Sequence, residues 1–154
     1  MIVVLTGTSP YSFDRLVRSV DKLAHKKNLD VFVQLGYTQY EPKHCSFQRF
    51  VPNYDLITKI QAAEMVICHG GFGSIRDGLA HGKPVVAVPR TPENGEAQHY
   101  QEELLRELES EGRILAVYDI KNLSAVIDKA RKFKVYHQKN TRIPEILTQY
   151  IGRL

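Results

Sequence analysis

Short apolar runs alternate along this chain with longer stretches whose apolar residues recur every three or four positions. The run Ile-Val-Val-Leu-Thr-Gly from residue 2 is continuous and β-branched, which predicts a short strand. From Ser12 to Ala24, the residues Phe13, Leu16, Val17, Val20, Leu23 and Ala24 fall on one helical face, so a loop and a helix follow. A second strand is expected over Asp30 to Leu35, then a loop rich in glycine and tyrosine. A short strand over Ser46 to Val51 and a helix over Asp55 to Ala63 come next.

Met65 to Cys68 reads as the next strand and Ser74 to His81 as a helix closed by Gly82. Pro84 to Pro89 is apolar throughout, as a strand covered on both faces should be. A long polar loop over Arg90 to Ala97 leads to a helix over Gln98 to Glu111 that ends at Gly112. Ile114 to Tyr118 is the last expected strand, and helices over Leu123 to Phe133 and Pro144 to Leu154 close the chain.

Strands that alternate with helices predict an α/β fold, a single Rossmann-like domain over residues 1–154 with a mostly parallel sheet and helices on both faces. Ligands of such folds bind at the carboxyl ends of the strands. Three loops that follow strands, Gly7 to Tyr11, His69 to Ser74 and Arg90 to Gln101, are therefore expected to converge on a binding site.

Composition narrows the classes. A chain of 154 residues, 43% of them hydrophobic, supports one core. No apolar run approaches the roughly 18 residues of a membrane span, and Met1 runs straight into the first strand without a basic leader, so a cytoplasmic protein is expected. The formal charge of +4 is too mild to point to nucleic acid. Lys129, Arg131, Lys132, Lys134, Lys139 and Arg142 nevertheless crowd one segment, either a solvated helix face or a contact for an anionic membrane or acidic partner. Cys45 and Cys68 are the only thiols, and His25, His44, His69, His81, His99 and His137 lack ligand spacing. Neither a disulfide nor a metal site is expected.

The chemistry concentrates in His69-Gly70-Gly71-Phe72-Gly73-Ser74, where an apolar strand turns into a helix. Glycines permit a tight turn and close approach of a ligand, and the helix beyond presents unpaired N–H groups and a partial positive charge. The loop is thus either a phosphate cradle or a plain strand-to-helix turn. Ser74 and Asp77 stand three apart, so the carboxylate either closes a capping box or points outward at a ligand, a ribose diol being the natural partner for an ionised oxygen.

Together these residues resemble the C-terminal, donor-binding half of glycosyltransferase family 28, over most of the chain. The resemblance is greatest to the small soluble subunits of its two-component enzymes, which include bacterial exopolysaccharide transferases. It rests on Leu-Thr-Gly-Thr-Ser-Pro-Tyr-Ser-Phe-Asp-Arg-Leu from Leu5 to Leu16, on Gln34 and Gly36, and on Tyr40-Glu41-Pro42. The His-Gly-Gly loop, Gly82-Lys83-Pro84 and Val88-Pro89-Arg90 follow in order.

The resemblance implies half of a GT-B fold that binds a UDP-sugar. Backbone amides at Gly7, Thr8 and Ser9 and over His69, Gly70, Gly71, Phe72, Gly73 and Ser74 would hold the pyrophosphate, and Asp77 would take the ribose in place of a glutamate. Glu96, Gln98, His99 and Gln101 hold the position that reads the donor sugar, with Gln98-His99-Tyr100-Gln101 where relatives show Asn-Asp-His-Gln. Arg90 would stabilise the leaving diphosphate or be a surface charge. The UDP-sugar is substrate, and no metal or cofactor is implied.

No catalytic base is assigned, because two-domain relatives take acceptor and base from an N-terminal half that this chain lacks. The resemblance therefore implies a membrane-anchored partner subunit that brings a lipid-linked acceptor and recruits this chain to the membrane. The basic segment and the tail Ile143, Ile146, Leu147, Tyr150, Ile151 and Leu154 would then dock on the partner, unless the tail covers its own sheet. Two readings from other classes remain: a non-catalytic nucleotide-sugar-binding or regulatory subunit, and a dinucleotide oxidoreductase. The second lacks Gly-x-Gly-x-x-Gly after the first strand, which reads Gly-Thr-Ser-Pro.

Overall fold

In a computed structural model of the chain, the described residues are 1–135 together with 148, 149 and 151. Strands β1 (Ile2–Leu5), β2 (Val31–Gln34), β3 (Ser46–Gln48), β4 (Met65–His69), β5 (Val85–Val88) and β6 (Leu115–Ala116) form one sheet in the order β3-β2-β1-β4-β5-β6. Every pairing is parallel; in the centre Ile2 lies opposite Met65 and Leu5 opposite Cys68. Helices α1 (Asp14–Lys27), α2 (Asn53–Ala62), α3 (Phe72–Ala80) and α4 (Glu102–Ser110) connect strands, and α5 (Leu123–Ala130) follows the last of them.

The continuous apolar runs follow from burial on both faces. Alternation along the strands sends Ile2, Val4, Met65, Ile67, Val86 and Val88 to one side, where Leu16, Val17 and Val20 of α1 and Leu123 and Ile127 of α5 cover them. Val3, Leu5, Val66, Cys68, Val85 and Ala87 point to the other side, against Ile60 of α2, Ile75 of α3 and Leu105 and Leu108 of α4. A strand residue covered this completely stabilises the fold by about 1.5–3 kcal/mol relative to exposure.

The chain runs outward from β1 through β2 to β3 and then returns to place β4 on the other side of β1. That reversal opens a crevice at the carboxyl ends of β1 and β4. The loops at residues 6–13 and 70–71 leave the sheet there.

Every expected strand is present, though the strand expected over Ser46 to Val51 stops at Gln48 and the one expected over Ile114 to Tyr118 is only Leu115–Ala116; helix boundaries differ as well. The helix expected from Ser74 begins at Phe72. The helix expected from Gln98 begins only at Glu102, with Gln101 as its N-cap residue and the Gln101 side chain bonded to two backbone amides outside the helix. Gly82, at φ 67, sits just past α3 and donates to Leu79 O at 3.0 Å, a C-terminal cap as expected. Of the helix expected over Pro144 to Leu154, only residues 148, 149 and 151 are described, all helical; Ile143, Ile146, Leu147, Tyr150 and Leu154 lie outside the described residues, as do His137, Lys139 and Arg142. Among the described residues, no helix is long and apolar enough to cross a membrane.

Candidate functional site

The crevice holds a cavity of about 430 Å³ between the loop that follows β1 and the turn from β4 into α3. Gly7, Thr8 and Ser9 line one wall; His69, Gly71, Phe72, Gly73, Ser74 and Asp77 line the other. Gln34, Phe50, Val51 and Leu56 complete it. Gln34, at the end of β2, grips Gly7 from both sides: its Oε1 accepts from Gly7 N–H and its Nε2 donates to Gly7 O, each at 3.2 Å.

His69 sets the spacing of the two walls. A Cβ on Gly7, whose φ is 81°, would stand 2.5 Å from His69 Nε2, and one on Gly71 would stand 1.9 Å from Cε1. Only glycines let the imidazole fit between the loops. Gly71 N–H donates to Nδ1 at 3.0 Å, so the ring proton belongs on Nε2, which meets Ser74 Oγ at 3.3 Å. Ser74 Oγ then accepts, and its own proton is free to turn toward a ligand. Burial, with repulsion from Arg90 second, pushes the imidazole down to about 4, so the ring is neutral at pH 7.

Helix α3 begins directly at this wall, with Gly71 as its N-cap residue. The N–H groups of Phe72, Gly73 and Ser74 have no acceptor among the described residues, and neither have those of Thr8 and Ser9 across the cavity. Unpaired amides and the positive end of a helix dipole form an anion cradle. Because the helix starts at Phe72, Ser74 is its third residue and Asp77 its sixth. The capping-box alternative is therefore corrected: Asp77 lies too deep in the helix to reach a free N–H. Its Oδ1 instead accepts from Arg76 Nε at 3.0 Å and Nη2 at 2.8 Å.

The third loop lies behind this cavity and lines none of it. Arg90 is 2% exposed, which overturns the surface-charge alternative. Its guanidinium donates to backbone carbonyls of Thr6, Tyr11, Ser12 and Glu96. Glu96 is buried too, its carboxylate receiving Arg15 Nε at 2.9 Å, Arg15 Nη2 at 2.8 Å and Thr91 N–H at 3.1 Å. With Ser12, Asp14, Arg15 and Gln39 it lines a separate polar cleft of about 350 Å³. Gln98 and His99 are exposed and border neither space. Gln101 joins the third loop to the second, its Oε1 accepting from Gly70 N–H at 3.0 Å and Arg90 N–H at 2.9 Å.

Residues 1–149 match the glycosyltransferase family 28 C-terminal domain. The chain belongs to this family. Over 63 residues it is 40% identical to the NDP-glycosyltransferase YjiC of Bacillus licheniformis, a stretch that covers 41% of this chain and 15% of that protein. Among solved structures, ALG13 superposes with a TM-score of 0.59 at 16% identity, covering 96% of this chain and 92% of the other. SnogD from Streptomyces nogalater superposes with a TM-score of 0.56 at 17% identity, and the calicheamicin glycosyltransferase CalG4 with 0.61 at 14%. These two cover 96% of this chain but only 39% and 36% of their own. The likeness establishes the fold, the Rossmann-like half of a GT-B glycosyltransferase; the chain spans a small part of YjiC and under two-fifths of SnogD and CalG4.

Within this family 28 domain, the residues that sequence reasoning missed are Gln34, Phe50, Val51 and Leu56. Gln34 carried a signal in its Gln-x-Gly setting. Phe50 and Val51 fall within the strand expected over Ser46 to Val51, but the strand stops at Gln48, which frees them to line the cavity. Phe50 is 51% exposed and meets Tyr37 edge-on at 5.2 Å between ring centroids. Among the described residues, no group of three or more His, Cys, Asp or Glu side chains is placed to hold a metal ion.

Proposed function

We propose that this chain is the donor-binding subunit of a two-component glycosyltransferase, moving a hexose or hexose derivative from a UDP-sugar to a lipid-linked acceptor. The observation that carries the reading is the facing pair of unpaired amide sets, Thr8 and Ser9 against Phe72, Gly73 and Ser74, at the crevice between β1 and β4. Such a cradle suits a diphosphate. Phe50, Val51 and Leu56 offer an apolar wall for the base, and Asp77 Oδ2, which carries no hydrogen bond among the described residues, is available to the ribose.

In the transfer, the acceptor hydroxyl oxygen attacks the anomeric carbon while the bond from that carbon to the β-phosphate oxygen breaks. UDP leaves with the bonding electrons, and their charge falls on the amides and the end of α3. The hydroxyl proton needs a base. His69 is unsuited, its Nδ1 lone pair being taken by Gly71 and its Nε2 protonated. The base and acceptor are assigned to the partner, a membrane-anchored subunit that recruits this chain; the exposed Lys129, Lys132 and Lys134 are candidates for that docking.

Titration calorimetry tests the reading. UDP is expected to bind and NAD not to; absence of any uridine-nucleotide binding would sink the transferase proposal. If cavity variants abolish UDP binding but leave transfer by the assembled complex unchanged, the chain is instead a regulatory subunit.

A further inference from the structure

Arg90 touches nothing in the cavity, yet it determines what one wall of the cavity presents. Its Nη2 donates to Thr6 O at 2.6 Å, and its Nη1 to Tyr11 O at 2.9 Å, Ser12 O at 3.3 Å and Glu96 O at 3.0 Å. Thr6 and Tyr11 bracket the loop that carries Gly7, Thr8 and Ser9. One planar fork therefore closes that loop at both ends. The Phe13 ring lies 4.6 Å from the guanidinium carbon and supports it.

An anion is attracted by N–H groups and repelled by carbonyl oxygens. Arg90 withdraws the carbonyls of Thr6, Tyr11 and Ser12, and Gln34 withdraws that of Gly7. The amides of Thr8 and Ser9 are left without an acceptor among the described residues. The backbone N–H of the same residue shares Gln101 Oε1 with Gly70, so Arg90 also ties this loop to the turn before α3. We propose that Arg90 is a positioning residue for the donor diphosphate, holding the two amide walls in register from behind without touching the ligand.

Burial of this cation is an awkward way to gain stability. Its Nε is buried without a hydrogen-bond partner among the described residues, while its two Nη atoms are given to the carbonyls of Thr6, Tyr11, Ser12 and Glu96. Loss of the fork would strip those four carbonyls of their donor, so the role is read from UDP affinity and not from stability alone.

This assignment rests on the diphosphate reading of the cavity, and the experiment separates the two. UDP affinity is measured for the wild type, Arg90→Met, Arg90→Lys and the remote core variant Ile127→Ala, each verified folded by circular dichroism at the assay temperature. Arg90→Met is expected to weaken UDP binding by about tenfold or more, Arg90→Lys to recover only part of it, and Ile127→Ala to lower the melting temperature with affinity unchanged. Wild-type affinity in Arg90→Met, or full affinity in Arg90→Lys, overturns the proposal; the lysine variant decides alone if the methionine variant does not fold.

Amide hydrogen exchange reads the same role without ligand. Exchange at Gly7 and Gly70, whose N–H groups are held by Gln34 and Gln101, should rise in the Arg90 variants while the amide of Val33 in β2 stays protected. If wild-type protein fails to bind UDP but these amides still respond, the diphosphate reading has failed and the positioning role has not; unchanged exchange overturns the role.

Discussion

The Gly71 N–H donates to His69 Nδ1 at 3.0 Å, a bond between residues two apart that fixes which imidazole nitrogen carries the proton. It also makes a charged ring costly, because a proton on Nδ1 would face the amide proton. Burial already holds the ring down to about 4, against an ordinary value of 6.5.

A pH dependence follows. The unfolded chain takes up a proton near pH 6.5 and the folded chain only near pH 4, so the neutral form favours folding above that window. Stability should fall as pH drops from 6.5 to 4, by a total of about 3 kcal/mol at most. His69→Asn keeps an acceptor for Gly71 N–H and cannot titrate. Thermal unfolding of both proteins across this range should converge toward low pH; parallel curves would show that His69 does not contribute.

Gly71 and Gly73 lie two apart and should respond oppositely. A Cβ at Gly71 would overlap the imidazole at 1.9 Å, whereas one at Gly73 meets nothing within 4 Å. Gly71→Ala should destabilise by about 1–3 kcal/mol and abolish UDP binding, because His69 must leave its place between the walls. Gly73→Ala, inside α3, should raise stability by about 0.5–1 kcal/mol. Chemical denaturation of the two variants decides it: equal and opposite-signed shifts from those stated would refute the wedge.

Much of this arrangement was legible beforehand. Parallel pairing follows from the apolar runs, since a strand such as Val85–Val88 with no polar face must be covered twice, whereas the order of the strands in the sheet does not. The two walls of the cavity follow from glycine-rich turns after strands. Arg90 and Glu96 were harder, because a charged residue after a strand reads the same whether it points out or in; only the coincidence of the Thr6, Tyr11 and Ser12 carbonyls around one guanidinium decides. Phe50 was hidden by strand propensity that tertiary pairing cut short at Gln48.

Asp77 separates ribose recognition from helix stability. Its partner Arg76 is exposed, so the ion pair contributes at most about 1 kcal/mol. Asp77→Ala should leave the melting temperature nearly unchanged while weakening UDP binding by about tenfold or more, the scale of a lost hydrogen bond to a charged group. The wild type should also prefer UDP over its deoxyribose analogue, and the variant should not. A variant that loses stability but keeps that preference would exclude the ribose role.

Removal of divalent metal should leave UDP binding intact. The one carboxylate on the cavity wall is Asp77, already engaged with Arg76, and the amides of Thr8, Ser9, Phe72, Gly73 and Ser74 already present positive charge to both sides of a diphosphate. A divalent ion bound by a diphosphate would compete with those amides for the same oxygens, and a single paired carboxylate is a poor anchor for it. UDP affinity measured in EDTA should therefore equal that measured with magnesium. A drop in EDTA that magnesium restores would mean that the amides alone do not carry the diphosphate charge.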